Sequence, residues 1–406
     1  MERTTARRRN ALFALFFLPG LAISSWVTRT PDIRDLLGAS TAEMGLVLFG
    51  LSAGSMIGIL SSGRFVARIG TRPVVAAGIL TTVASMPVVG VGAGLHSPWL
   101  VTAGLFLFGL GMGCGEVAMN VEGADVERLI GRAVLPTMHG FFSLGTVAGA
   151  VIGMALTAAR FPVPWHLVLV GLLSVPVALL AIRIIPPGNG RSVPATVKTA
   201  TPSSRTPLWR DQILLLIGVV VLAMALAEGA ANDWLPLIMV DGHGLDAALG
   251  SLVYVAFSAA MTIGRFGGGW FLTRFGRATV LGASAVIGGV GLVLVVFVDN
   301  AFVAGAAVLL WGLGASLGFP VALSAAADSG PDPTARVSLV ATAGYVAFLV
   351  GPPALGFLGE HYGLRNAMIV VLGLLAVAAV AAFTLSRRLP TTPGPVPDDD
   401  LTSVPT

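Results

Sequence analysis

Two carboxylates stand where every neighbour is apolar. Glu116 lies in the run Gly111-Met112-Gly113-Cys114-Gly115-Glu116-Val117-Ala118-Met119-Asn120, and Glu228 in Ala225-Leu226-Ala227-Glu228-Gly229-Ala230-Ala231-Asn232. Each has an asparagine four residues later, Asn120 and Asn232, which a helix places on the same face. A charged side chain at a bilayer centre costs about 2.5–3.5 kcal/mol on insertion scales, so such residues are rare and mark function. Desolvation favours the neutral form of a carboxyl. A glutamate in a cavity can therefore hold a proton and release it when the cavity opens to the other side. The alternative for Glu116 is a neutral or paired acid that only ties helices together. Glu228 leads a polar group that continues through Asn232, Asp233 and Trp234. Asn and Trp can bond to and stack on a sugar-like or heterocyclic solute; alternatively, Asp233 and Trp234 mark an outer membrane interface, where Trp is common. An unperturbed histidine titrates in the range that suits a proton relay, a role open to His139; alternatively, it satisfies Glu122 or Asp125 on the preceding loop. Arg265, one turn before Gly269, is read as snorkelling to the cytoplasm or pairing with an acid at a span end. Arg29, Asp32 and Arg34 suggest a network on the outer rim.

The elements that must position these groups are membrane spans. The chain has 406 residues, 55% of them hydrophobic and only 11% charged, against about 25% charged in soluble domains. Mean hydropathy is +0.88. Twelve stretches match the roughly 20 residues that cross a hydrocarbon core: 10–29, 43–62, 74–95, 98–121, 134–158, 165–186, 212–239, 247–270, 278–298, 301–326, 337–358 and 367–386. Arg7-Arg8-Arg9 before Leu12 to Leu21 resembles a signal peptide without a small-residue cleavage site, and is read as an uncleaved first span. Arg29, Arg34, Arg160 and Arg365 fall in outside segments when the N-terminus is cytoplasmic, Arg183 and Arg265 fall within spans, and the other basic residues gather inside. That bias predicts both termini in the cytoplasm. It also accounts for a pI near 10.0 without any nucleic acid partner. The lone cysteine, Cys114, excludes an intrachain disulfide. No phosphate loop, metal cluster or nucleophile elbow is present, so neither an enzyme nor a cofactor or metal site is expected.

The chain divides into a short cytoplasmic N-terminus (1–9), a six-span unit (10–186), a Pro/Ser/Thr/Gly-rich linker (187–211), a second six-span unit (212–386) and a tail (387–406) whose composition predicts disorder. The units repeat. Ile57-Gly58, Gly63 with Arg68 and Gly70, and Ser52-Ala53 return as Ile263-Gly264, Gly269 with Arg274 and Gly276, and Ser258-Ala259; Gly109, Gly111 and Gly115 return as Gly312, Gly314 and Gly318. Ser40 and Asp246 are equivalent N-caps. Six spans per unit make the repeats parallel, related by an axis along the membrane normal. The glycines from 109 to 115 suit close helix packing.

Twelve spans, a central linker and the loops Gly63-Arg64-Phe65-Val66-Ala67-Arg68-Ile69-Gly70-Thr71-Arg72 and Gly269-Trp270-Phe271-Leu272-Thr273-Arg274-Phe275-Gly276-Arg277 resemble the major facilitator superfamily. The resemblance covers residues 10–386 and implies an all-α fold of two pseudo-symmetric six-helix bundles, with Gly63, Arg68, Gly70, Gly269, Arg274 and Gly276 in gating loops. The family's usual loop acid is replaced by Ala67 and Thr273. Gly113-Cys114-Gly115-Glu116 with Asn120 is similar to the fucose permease relatives, where the matching glutamate serves proton and sugar. The stretches Glu228 to Trp234 and Met138 to Gly145 resemble the YbjJ-type branch of bacterial inner-membrane proteins. The span 1 acid of fucose permease is absent; Ser24, Ser25 and Trp26 fill that region. The expectation is a monomeric inner-membrane transporter in the lipid bilayer, moving a small polar, sugar-like solute with protons. Glu116, Glu228 and His139 would handle the proton, and Asn120, Asn232, Asp233 and Trp26 the substrate. Symport is the leading reading; an exporting proton antiporter remains open, as does a non-transporting sensor with the same fold.

Overall fold

The structure, a computed structural model, describes residues 3–131, 134–191, 208–330 and 332–387, apart from the side chains of residues 136, 333 and 334. Most of the linker and of the tail (192–207 and 388–406) thus lies outside the described residues. The helices are α1 (Arg3–Val27), α2 (Thr30–Leu37), α3 (Thr41–Ile69), α4 (Thr71–Gly94), α5 (Pro98–Ile130), α6 (Leu135–Ala158), α7 (Val163–Ile184), α8 (Gln212–His243), α9 (Ala247–Phe275), α10 (Arg277–Phe297), α11 (Ala301–Ala315), α12 (Gly318–Asp328), α13 (Pro333–Tyr362) and α14 (Leu364–Ser386). Twelve segments among the described residues are long and apolar enough to cross a membrane, with α11 and α12 together forming one.

Local chemistry sets the helix ends. Ser40 accepts from the Glu43 amide while Glu43 bonds back to the Ser40 amide, closing a capping box; Asp246 caps α9 through the Leu249 amide. The loops expected between spans 2 and 3 and between spans 8 and 9 shrink to one residue each. Gly63 to Arg68 and Gly269 to Arg274 are helical, and only Gly70 (φ +88°) and Gly276 (φ +75°) turn the chain. A positive φ is where glycine is needed. The tenth span departs from expectation by breaking at Ser316–Leu317. Pro320 has no N–H to give the Ser316 carbonyl, so the helical ladder cannot continue through it. Helix α2, unexpected from hydropathy, begins with Pro31 in its first turn.

Helices α1 and α3–α7 pack on one another, as do α8–α14, and the two sets meet mainly through α3 against α13 and α6 against α9. Glycine sets how near the backbones come. A Cβ on Gly109 of α5 would overlap the Leu51 carbonyl of α3, and one on Gly312 would stand 2.7 Å from the Phe257 carbonyl. Leu51 and Phe257 are 206 residues apart, so the duplicated halves reuse one contact.

The two ends of the assembly differ. At the end carrying α2, polar links cross between the sets: the Arg34 guanidinium with Asp241, the Ala42 amide to Glu360 (3.1 Å) and the Ser251 hydroxyl to the Thr28 carbonyl (2.8 Å). Gly45 and Gly356 let α3 and α13 touch there through their backbones. At the linker end, the polar links lie within each set. Fully buried Glu122 accepts from Arg8 (2.5 Å), Thr71 (2.7 Å) and Asn189 (2.7 Å), joining the start of α1, α4, α5 and the chain leaving α7. Asp211, the N-cap of α8, accepts from Arg336 of α13 at 2.6 Å. Among the described residues α5 and α12 form no extensive contact.

Two outcomes follow from this packing. Gly109→Val should lower the thermal unfolding midpoint in detergent, reflecting about 1–3 kcal/mol of overpacking, whereas Gly63→Ala, into open space, should leave it unchanged or raised. Burial acts to raise the Asp211 carboxyl, but hydrogen bonds from Arg336 and from the Leu214 and Ile213 amides outweigh it and hold the group below the usual carboxylate range. A lowered folded-state pKa means stability present above the ordinary carboxylate range and lost as pH falls through the folded value. Asp211→Asn should therefore flatten the acid side of the stability–pH curve, measured by thermal unfolding between pH 3 and 7.

Candidate functional site

Glu116 and Glu228 lie in the middle portions of α5 and α8, about 15 or more residues from either helix end and hence some 20 Å along the axis. They belong to opposite sets of helices. Both are half-buried. The Glu228 carboxylate is held by Arg265 of α9 in an ion pair of 2.9 Å, with the side chains 15% and 29% exposed. The same guanidinium reaches Ser143 of α6, buried, at 3.4 Å. Arg265 therefore neither snorkels nor pairs with an acid at a span end. It points inward because an unpaired midspan carboxylate one helix away is a stronger attraction than the distant solvent.

Glu116 stands beside this pair, within electrostatic reach of both Arg265 and Glu228. Among the described residues it has no hydrogen bond or ion pair. One guanidinium thus faces two carboxylates, one from each set of helices, and bonds to only one of them.

His139 and Asn120 are brought together across α6 and α5, His139 Nε2 lying 3.0 Å from Asn120 Oδ1. This replaces the pairing with Glu122 or Asp125 considered from sequence. Glu122 is filled by Arg8, Thr71 and Asn189, and Asp125 by Arg8 and Arg128. His139 also meets the edge of Phe16, with ring centroids 5.0 Å apart. Exposed His139 and half-buried Asn120 lie one turn from Ser143 and Glu116 respectively, on the linker side of the site.

Asn232 accepts a hydrogen bond from the Tyr254 hydroxyl at 3.1 Å. Tyr254 is fully buried and also feels the charges of Asp233 and Glu228. Asp233 is half-buried and has no hydrogen bond or ion pair among the described residues. Trp234 is completely buried with its indole N–H unpartnered, so it is no interfacial anchor. Trp26, 2% exposed, is packed in the same apolar cluster as Trp234; in this conformation it offers a substrate no open face. Arg29 is buried on Asp32 (2.9 Å), Thr157 (2.7 Å) and the Phe161 carbonyl, while Arg34 turns away to Asp35 and Asp241. The rim is two separate groups rather than one network. Arg68 and Arg274 are exposed and form no ion pair among the described residues, as the loss of the usual loop acids at Ala67 and Thr273 implies.

Sequence reasoning passed over several residues here. Arg265 gave a signal that was misread: an arginine in an apolar run. Tyr254, Tyr345 and Phe348 gave none, because aromatic side chains at helical spacing read as core. Tyr345, half-buried on α13, lies within electrostatic reach of Glu116.

Two sets of helices long and apolar enough to span a membrane, around a midspan group of charges, have the architecture of a polytopic membrane transporter. The chain belongs to the Major Facilitator Superfamily, whose model matches residues 11–337. It is 27% identical over 373 residues to an uncharacterized MFS-type transporter of Yersinia pestis, across 92% of this chain and 94% of that protein. Its fold is similar to that of a variant of the nucleoside transporter NupG, with a TM-score of 0.74 and 14% identity over 93% of this chain and 99% of that one. It is likewise similar to the Escherichia coli fucose:proton symporter FucP, with a TM-score of 0.64 and 20% identity over 94% and 99% of the two chains.

If Arg265 and Glu228 form one unit, a double-mutant cycle of Arg265→Met and Glu228→Gln should report a coupling of about 1–3 kcal/mol in thermal unfolding. Each single change leaves a charge without its partner, so the double variant should be more stable than the sum of the singles.

Proposed function

We propose that this protein is a proton-coupled secondary transporter that carries a small polar solute across a bacterial inner membrane by alternating access. The observation that carries the reading is Glu116: a midspan carboxylate without a partner, on one set of helices, beside a guanidinium committed to an acid on the other set. A nearby cation favours a carboxylate anion, and its withdrawal in a desolvated site favours the proton. Glu116 and Arg265 belong to different bundles, taken as residues 10–186 and 212–386, so rocking one against the other changes their separation. Protonation of Glu116 and bundle position are then linked. Arg265 stays with Glu228 throughout, because α8 and α9 move as one body, and its bond to Ser143 is the part that must break.

The polar links between the bundles at the α2 end, with no extensive contact between α5 and α12 among the described residues at the linker end, fit an inward-facing state, with the linker, both termini and the basic helix ends in the cytoplasm. His139 and Asn120 lie on the open side, placed to pass a proton between Glu116 and the cytoplasm. Asn232 and Asp233 lie on the closed side and would meet solute arriving from outside. FucP, which by its description moves fucose with protons, and NupG, a nucleoside transporter, support a solute of this size and polarity. Symport is the preferred direction; exchange needs the same unpaired acid.

The test uses proteoliposomes and a solute found by thermal-shift screening of sugars, nucleosides and amines. An inward proton gradient should drive its accumulation in the native protein. Glu116→Gln should abolish that accumulation and leave counterflow exchange. Driven transport at the native level in Glu116→Gln would overturn the assignment. Outward solute flux under the same gradient would instead establish antiport.

A further inference from the structure

We infer that the site accepts a small organic cation bearing an aromatic ring, held between the carboxylates of α5 and α8 and the rings of α12 and α13. This rests on the interface between the bundles being the transport site. Three acids lie near it: Glu116 and Glu228 beside the one arginine, and Asp233 five residues further along α8 beside Tyr254. Arg265 is already committed to Glu228 at 2.9 Å. Glu116 and Asp233 remain without a hydrogen bond or ion pair among the described residues. A proton can neutralise one of them; a bound cation neutralises the other. An anionic solute would add a third uncompensated charge, whereas a cationic one offsets the charge that a single proton leaves.

Two independent features point to a ligand here. First, Phe319, Tyr345 and Phe348, all half-buried, form a group with centroids 6.3 Å apart from Phe319 to each of the other two. Phe348 lies against α8 beside Glu228, where a Cβ on Gly229 would come within 3.0 Å of its ring, and Tyr345 feels the Glu116 charge. Aromatic faces next to carboxylates form a setting for ammonium groups and for rings stacked edge or face. Second, the completely buried Ser24 and Tyr254 hydroxyls lie beside one another, and Tyr254 feels the Asp233 charge. A hydroxyl oxygen and a carboxylate together accept from an ammonium, which brings three donors and no acceptor.

The probes are three sets of three compounds matched in size but not charge: tyramine with 4-hydroxyphenylethanol and 4-hydroxyphenylacetate, tryptamine with tryptophol and indole-3-acetate, and phenethylamine with its alcohol and carboxylate counterparts. Cyclohexylethylamine serves as a cation without a ring. Thermal unfolding of the full chain in detergent is read with each. At ten times its dissociation constant an aromatic amine should raise the midpoint by about 2 °C, and the alcohols and carboxylates should not. Asp233→Asn and Phe348→Leu, each first shown to elute and unfold as the native protein does, should lose that rise. Alcohols or carboxylates that stabilise as well as the amines, or a panel in which no amine stabilises, overturn the inference; an equal rise with cyclohexylethylamine overturns the ring requirement. The outcome is separable from the proton role. Amine selectivity with unimpaired gradient-driven tyramine uptake in Glu116→Gln defeats the proton assignment alone. Loss of driven uptake in that variant with no preference for amines defeats the cation assignment alone.

Discussion

A charge held away from water must be matched by an opposite charge, a proton or a pocket of solvent, and the centre of this molecule is organised by that requirement. Arg265 and Glu228 answer it with one another, inside one bundle. Glu116, on the other bundle, has no such partner among the described residues and stands half-buried beside the pair. The buried Glu122 near the linker end shows the other solution, with three donors on a single carboxylate. A fully satisfied acid fastens helices; an unsatisfied one leaves the structure something to do.

Much of the fold was legible because a bilayer permits few solutions. Apolar runs of the right length, arginines concentrated in alternate segments and a near-constant repeat offset specify twelve crossings in two parallel units. What remained hidden was governed by contacts rather than composition. The break at Ser316 stems from a single missing amide donor at Pro320, inside a run whose hydropathy never falters. The short helix α2 is too polar to register as a span, and the loops around Gly70 and Gly276 looked longer than they are because their arginines sit on helical turns that run past the apolar stretch.

The site was legible in part for the same reason. Glu116, Glu228 and their asparagines are polar side chains in apolar surroundings, and one-dimensional spacing identifies them. Spacing cannot say which charges meet. Arg265 lies ten residues from the end of α9, close enough in sequence to suggest escape to the aqueous phase, yet its partner lies 37 residues earlier on another helix. His139 was matched with acids that nearer donors had already taken. Trp26 and Trp234 resembled binding residues and proved to be buried in the same apolar cluster.

The shared contact of Gly109 with Leu51 and of Gly312 with Phe257 gives a register for comparing the halves residue by residue. In that register Glu116 falls on Phe319 and Arg265 falls on Ile59. Each half has an ionisable group where its copy has an apolar one. An ancestral pair of identical halves would have placed like charges across a symmetric interface, or none. Two halves that differ in sequence escape that restriction, and at the centre of this molecule the difference gives one side the unpaired acid and the other side the guanidinium.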